Sequence, residues 1–209
     1  MRSYGQYCAL AKALDVVGDR WTLLIVRELL LRGPCRYTDL QDGLPGIATN
    51  LLADRLRALE QAGLVRREDT PPPVATTLFR LTRRGEELEA VLHQLGRWGA
   101  PLLARAAPKD AFRSHWLALP ARLHLKDRTP GRPPVTIEVR TGDAPLTIQT
   151  VDGAVEVRPG AARDPNAVLT GTPQLVLGLL TGKLSLAQAR AAGLRYEGPP
   201  AALRRVTGA

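Results

Sequence analysis

Apolar residues recur along this chain with two different periods, and the change of period divides it. Over the first hundred residues the spacing is helical. Residues 8–17 read as a helix stopped by Gly18, and residues 21–31 as a second, stopped near Gly33. In the second, Leu23, Leu24, Ile25, Val26, Leu29 and Leu30 nearly encircle the axis, which predicts a buried central helix. A short helix at 37–41 leads through Leu44-Pro45-Gly46-Ile47 into residues 48–60, where Leu52, Leu56 and Leu59 form one apolar face. Two strand-like runs follow, 64–68 and 77–82, around Pro71-Pro72-Pro73. Prolines cannot donate to a ladder, so these three belong to the connecting loop. Residues 84–105 then read as one long helix with a stripe of Leu88, Val91, Leu92, Leu95, Trp98 and Leu102.

A boundary is expected at Ala106-Ala107-Pro108. Beyond it Phe112, Trp116, Leu119 and Leu123 share one face of a connecting helix that Pro120 kinks or ends. The period then falls to two. Val135, Ile137 and Val139 alternate with polar residues, as do Leu146 with Ile148 and Val155 with Val157, and the turns Thr141-Gly142-Asp143 and Asp152-Gly153 join them into an antiparallel meander. Helical signals return at Thr172-Pro173, an N-cap followed by proline at the first helical position, with Leu175, Val176, Leu179 and Leu180 as the buried face. Ser185-Leu186-Ala187-Gln188 is a capping box, residues 193–198 a last strand and 199–206 a terminal helix. The expected architecture is an N-terminal, mostly α domain with a β-hairpin over 1–107. Residues 108–209 should form an α+β domain with helices on one face of an antiparallel sheet.

The N-terminal pattern carries a specific layout. A short helix, a Pro-Gly turn and a helix showing small and polar groups outward (Thr49, Asn50, Ala53, Asp54, Arg57) is the arrangement of a helix-turn-helix, whose second helix enters the major groove of double-stranded DNA. A hairpin directly after it is a wing, and Arg66, Arg67 and Arg80 offer it phosphate partners. An ordinary amphipathic surface helix is the alternative on 48–60 alone. The chain resembles the HxlR family of winged helix-turn-helix transcriptional regulators. The residues carrying the resemblance are Cys8, 18–29, 33–40, Leu44-Pro45-Gly46-Ile47, Leu51-Leu52 through Gly63-Leu64-Val65, Leu81-Thr82, Gly85 and Trp98-Gly99. Two departures stand out. Ala48 replaces the family's usual Ser, so Thr49 is expected to supply the N-cap oxygen. Asn50 replaces a frequent basic residue, which turns readout from guanine toward adenine. The resemblance implies Thr49 and Asn50 at base edges, Arg36, Arg66 and Arg67 at phosphates, and Arg55 and Arg57 as further DNA-binding residues. The wide stripe of the 84–105 helix suggests a homodimer, whose two reading helices would meet successive half-sites. Packing of that stripe on the second domain is the alternative.

Composition sharpens this picture in places. At 209 residues the chain can fill two modest cores, and 44% hydrophobic but only 4% aromatic content makes Leu, Val and Ala their main material. No apolar run reaches the length of a membrane span and the start lacks a signal-peptide pattern, so the expected location is cytoplasmic, on the bacterial nucleoid when bound to DNA. The net charge of +9 is misleading. Residues 1–107 carry 15 basic against 12 acidic side chains, and 108–209 carry 14 against 8, so DNA binding draws on local placement rather than bulk charge. The two cysteines lack metal-ligand spacing, and a structural disulfide does not suit a reducing compartment. Cys8 matches the family's N-terminal cysteine, which the resemblance implies as a redox or electrophile sensor. It sits where a helix begins and one turn from Lys12, although a small buried apolar role fits as well. Cys35 reads as incidental.

The second half resembles the sterol carrier protein type 2-like domain through Val151-Asp152-Gly153, Asp164-Pro165-Asn166, Leu169-Thr170-Gly171-Thr172, Leu180-Thr181-Gly182-Lys183, Ala189, Gly193-Leu194 and Glu197-Gly198. That resemblance implies a small apolar ligand held among Ile137, Ile148, Val155, Leu175, Leu179 and Leu180. A solid core made of the same residues is the alternative. No catalytic pattern is present: His93, His115 and His124 lack a paired nucleophile, and the glycines are spaced as turns rather than as a phosphate cradle. Neither a cofactor nor a metal is expected. The sequence thus points to a DNA-binding transcriptional regulator, a repressor in the first instance, controlled by an apolar ligand or by Cys8. The alternative is a lipid carrier tethered to DNA without ligand control of transcription.

Overall fold

A computed structural model of the chain describes residues 3–71, 75–107 and 109–208, and it divides between Pro101 and Leu102 into two units. Pro72, Pro73 and Pro108, assigned above to the wing loop and the boundary, lie outside the described residues. The first unit opens with α1 (Ala9–Val17) and α2 (Thr22–Arg32). Trp21 enters α2 at φ 80°, a left-handed conformation that an aromatic residue adopts only when its surroundings impose it. Ile25, Val26, Leu29 and Leu31 are buried in α2, as predicted for a central helix, but the ring of apolar residues is broken. Leu24 is exposed, whereas the charged Glu28 is fully buried. Next come α3 (Tyr37–Gly43), α4 (Thr49–Gln61) and the hairpin of β1 (Val65–Thr70) and β2 (Thr76–Leu81), in register from Val65↔Leu81 to Thr70↔Thr76. Cys35 adds a rung by exchanging backbone hydrogen bonds with Phe79, at 3.0 and 2.7 Å.

The long helix expected over 84–105 is instead three pieces: α5 (Arg83–Glu86), α6 (Leu88–Gly99) and a 3-10 stretch, Ala100–Arg105. The first break falls at Glu87, which keeps helical backbone angles, and the second at Ala100. Thr82 Oγ1 accepts from Gly85 N and donates to the Gly63 carbonyl, tying the start of α5 to the wing. Gly85 lies so close to Leu64 that a Cβ would stand 2.2 Å from its carbonyl oxygen. At the far end Pro101 has no N–H to continue the α ladder, and the chain tightens to 3-10 geometry.

The second unit begins with a 3-10 turn, Ser114–Leu117, running into α7 (Ala118–His124). Pro120 neither kinks nor ends α7. It sits in the first turn, where its missing N–H would have had no helical partner. The buried face here is Leu117, Ala118, Ala121 and Leu125, while Phe112, Trp116, Leu119 and Leu123 are half-buried. The meander is β3 (Thr136–Thr141), β4 (Ala144–Val151) and β5 (Ala154–Pro159), followed by β6 (Ala167–Thr170), α8 (Pro173–Leu180), α9 (Leu186–Ala191), β7 (Arg195–Glu197) and α10 (Pro200–Thr207). Both predicted caps are present: Thr172 Oγ1 accepts from Leu175 N, and Ser185 with Gln188 forms the reciprocal capping box.

The sheet is mixed, not antiparallel. Its order is β5-β4-β3-β6-β7, with β6 parallel to β3 and every other pairing antiparallel. Because β5 and β6 run the same way, the chain must cross β4 and β3 between them, and residues 160–166 do so over the polar face. Thr147 Oγ1 donates to the Gly160 carbonyl, and Ala162 N donates to the buried Glu138 carboxylate, which Arg140 also holds. The hydrogen bond from Arg140 keeps the Glu138 carboxyl below the usual glutamate range. On the other face Ile137, Val139, Leu146, Ile148, Val157, Leu169 and Tyr196 are buried together. There α7 packs on β5 and α10 on β3. The Pro- and Arg-rich segment 126–134 is pinned by a buried bidentate pair, Arg205 to Asp127 at 2.8 and 2.9 Å, and by Lys126 and Arg128 donating to backbone carbonyls of α10.

Candidate nucleic-acid interface

Helix α4 is sealed on one side and open on the other. Leu52, Leu56 and Leu59 are at most 1% exposed, whereas Asn50, Asp54, Arg57 and Gln61 follow one another at four-, three- and four-residue steps along the opposite, solvent-exposed face. The start of α4 is fastened to α3. Tyr37 Oη donates to the Thr49 carbonyl at 2.5 Å and Gln41 Nε2 donates to Thr49 Oγ1 at 3.0 Å. Thr49 therefore does not take over the missing N-cap. Ala48 holds the cap position without a side-chain bond, and the Thr49 hydroxyl is directed to α3. Asn50 does part of that work, its Oδ1 accepting from Leu51 N at 2.9 Å, one of the donors a helix start leaves free. Its Nδ2 is left available on the exposed face.

The arginines named from the sequence separate into two groups. Arg36 and Arg66 are exposed, and neither has an acidic side-chain partner among the described residues. Arg57 is exposed and paired across one turn with Asp54 at 3.1 Å. Arg55 and Arg67 are already engaged. Arg55 meets Asp19 at 2.6 Å, joining α4 to the loop before α2. Arg67 meets Glu60 at 2.8 Å and stacks 5.3 Å above the Phe79 ring, joining the wing to α4. These two arginines fasten α4 in place; Arg36, Arg57 and Arg66 are exposed. Asp54, which charge-based reasoning passes over because DNA repels acids, stands in the middle of the exposed face of α4.

Beneath the motif, Glu28 is clamped by the neighbouring Arg27 at 2.9 and 2.7 Å and lies against Gly43 at the end of α3. Arg32 Nη1 reaches the Asp39 carbonyl at 2.7 Å, a polar tie from α2 to α3. Cys35 is part of this support rather than incidental: it is buried at 2% exposure, and burial pushes its thiol up to about 11. Cys8 is exposed at the N-cap of α1 with extended backbone, and Lys12, one turn on, is 3.6 Å from Asp15.

In the second unit Ile137, Ile148, Leu179 and Leu180 are at most 4% exposed, with Val155 and Leu175 half-buried, all within the core. Two clefts, of about 390 and 510 Å³, open elsewhere, the larger at the β3–β4 turn beside Asp143 and the smaller between the polar sheet face and residues 159–164. None of the six residues lines either cleft. Among the described residues no cluster of metal-ligating side chains occurs, and no helix is long and apolar enough to cross a membrane.

Residues 16–107 match the model of the HxlR-like helix-turn-helix family. YvaP of Bacillus subtilis, an HTH-type transcriptional regulator, is 33% identical over 87 residues that span 42% of this chain and 80% of that protein. This chain belongs to the HxlR-like helix-turn-helix family. YodB of B. subtilis, also an HTH-type transcriptional regulator, is 34% identical over 86 residues, 41% of this chain and 76% of YodB. A further HTH-type regulator, from Synechocystis sp., is 37% identical over 95 residues, 44% of this chain and 70% of its own length. Among solved structures, the reduced form of YodB covers 49% of this chain and 100% of its own, at 29% identity and a TM-score of 0.42. The HxlR-like match takes in α4, the wing and the Arg55 and Arg67 ties. The sheet of the second unit lies outside it.

Proposed function

We propose that the protein is a sequence-specific, DNA-binding transcriptional regulator that works as a homodimer. One observation carries this reading. A helix sealed by Leu52, Leu56 and Leu59 presents Asn50, Asp54, Arg57 and Gln61 to solvent, beside a wing with an exposed Arg66. Asn50 can donate from Nδ2 to adenine N7 and accept at Oδ1 from N6, while Arg36 and Arg66 serve phosphates. The homodimer is supported by apolar side chains left in water on α1 and α6 of the first unit and just before α1: Tyr7, Leu10, Leu14, Val91, Leu95 and Trp98, the last 76% exposed. Mapping the protein's binding sites across a bacterial genome tests the function. A recurrent motif with two half-sites about one helical turn apart is expected, and the absence of any enriched motif overturns the reading.

Two routes of control belong to the same proposal. Cys8 is reachable by oxidants and electrophiles, in keeping with the family resemblance; alkylation of Cys8 should change operator affinity, and C8S should abolish the response. The second unit is assigned as an effector module on its resemblance to sterol carrier domains. An apolar ligand could enter among Ile137, Ile148, Val155, Leu175, Leu179 and Leu180 only if the core opens, because Ile137, Ile148 and Leu179 are at most 1% exposed. Operator affinity of the whole chain, measured with and without extracted cellular lipids, tests this route. An unchanged affinity removes the second unit as a lipid-driven switch and leaves it a docking or stabilising module.

A further inference from the structure

Asp54 poses a problem for the function just proposed. It occupies the middle of the exposed face of α4, between Asn50 and Arg57, where a carboxylate works against a polyanion. Among the described residues its partner is Arg57, Nη1 to Oδ1 at 3.1 Å, with the Arg57 and Asp54 side chains 62% and 58% exposed. A pair as open as this contributes little to folding, so stability gives no reason to place an acid there. What the pair does is geometric. A lone arginine on this face would be free to swing to the nearest phosphate; here Nη1 is engaged from one turn earlier, and Nε and Nη2 have no partner among the described residues.

We propose that Asp54 is a specificity-determining residue: it holds Arg57 so that the free guanidinium edge meets O6 and N7 of a guanine in the major groove. The carboxylate also bars the alternative in which Arg57 binds phosphate without regard to sequence. Asn50, one turn earlier on the same face, reads its own base, so each half-site carries a guanine at a fixed offset from the adenine that Asn50 selects. The inference rests on α4 being the reading helix. It adds a base identity and a positioning role to a residue that simple charge matching discards.

Selection of duplexes from a random-sequence pool by the whole chain, in wild-type, D54A, R57A and double-variant form, tests it. The wild type should select a guanine at one position of each half-site. R57A should lose that preference, and D54A should reduce it by about tenfold, the lower part of the range for a bidentate base contact. The double variant should select as R57A does, because Asp54 acts only through Arg57. A merely structural ion pair predicts something different: D54A would weaken all sequences alike or strengthen them alike by removing a negative charge, with the preferred bases unchanged. That result overturns the proposal while leaving DNA binding intact. A wild type that selects no sequence at all overturns the DNA-reading function itself, and this inference with it.

Discussion

Replacing Gly43 by Ala would ordinarily help a helix, since Ala is favoured over Gly by up to about 1 kcal/mol in a helix interior. Here the structure reverses the sign. A Cβ at Gly43 would lie 2.2 Å from Glu28 Oε2 and 2.8 Å from its Cδ, and ordinary contact needs roughly 1 Å more. Glu28 is fully buried and bound to Arg27 at 2.9 and 2.7 Å, so it cannot retreat without giving up those bonds. Breaking a buried pair costs about 3–5 kcal/mol. Allowing for partial relaxation of α3 and for the helix preference, G43A should destabilise the first unit by about 2–4 kcal/mol. For a unit of this size that is a fall of roughly 10–25 °C in its melting transition. Thermal unfolding followed by circular dichroism reads the loss. An E28A background supplies the control, because without the carboxylate the added methyl should cost less than about 1 kcal/mol. A G43A protein that melts within a degree or two of its parent, or one that loses as much in the E28A background, refutes the reasoning. Operator affinity should fall with stability, since Gly43 is the last residue of the helix that fastens Thr49.

Three further outcomes are expected. N50A should cost about 1–3 kcal/mol on the best operator and relax one base pair, whereas R66A should weaken all sequences alike and lower the salt slope by about one charge; equal changes in specificity from both would undo this division. W98E should shift the light-scattering mass toward that of a single chain, and a wild-type mass equal to one chain at every concentration would remove the dimer. Burial raises the Cys35 thiol from 9.0 to about 11, so the folded state favours the neutral form; the stability this lends is complete below about pH 9 and is lost as pH rises toward 11, by up to about 2–3 kcal/mol. Urea unfolding at pH 8 and pH 10.5 should show that loss in the parent and not in C35A.

Much of this was legible in the chain because it is written locally. The stop at Gly18, the apolar triad of α4 and the caps at Thr172 and Ser185 depend on residues within one or two turns of each other. Strand β6 escaped because Ala167–Thr170 is too short for alternation to show, and its parallel partner β3 lies some thirty residues back. The fragmentation of 84–105 escaped because the pattern of apolar residues is helical throughout, and Glu87, where the first break falls, keeps helical backbone angles.

The candidate site divides the same way. Periodicity alone identified which face of α4 is turned outward, because burial of Leu52, Leu56 and Leu59 forces the rest into solvent. It could not rank the arginines. Arg36, Arg55, Arg57, Arg66 and Arg67 are equivalent as letters, and only packing shows that Asp19 holds Arg55 and that Glu60 and Phe79 hold Arg67. A side chain's charge is a property of the residue, whereas its availability depends on neighbours that the chain brings together from a distance. Gly43 and Glu28 are the plainest instance. Fifteen positions apart, each is unremarkable until α2 and α3 pack, and then the absence of a Cβ on one makes room for the carboxylate of the other.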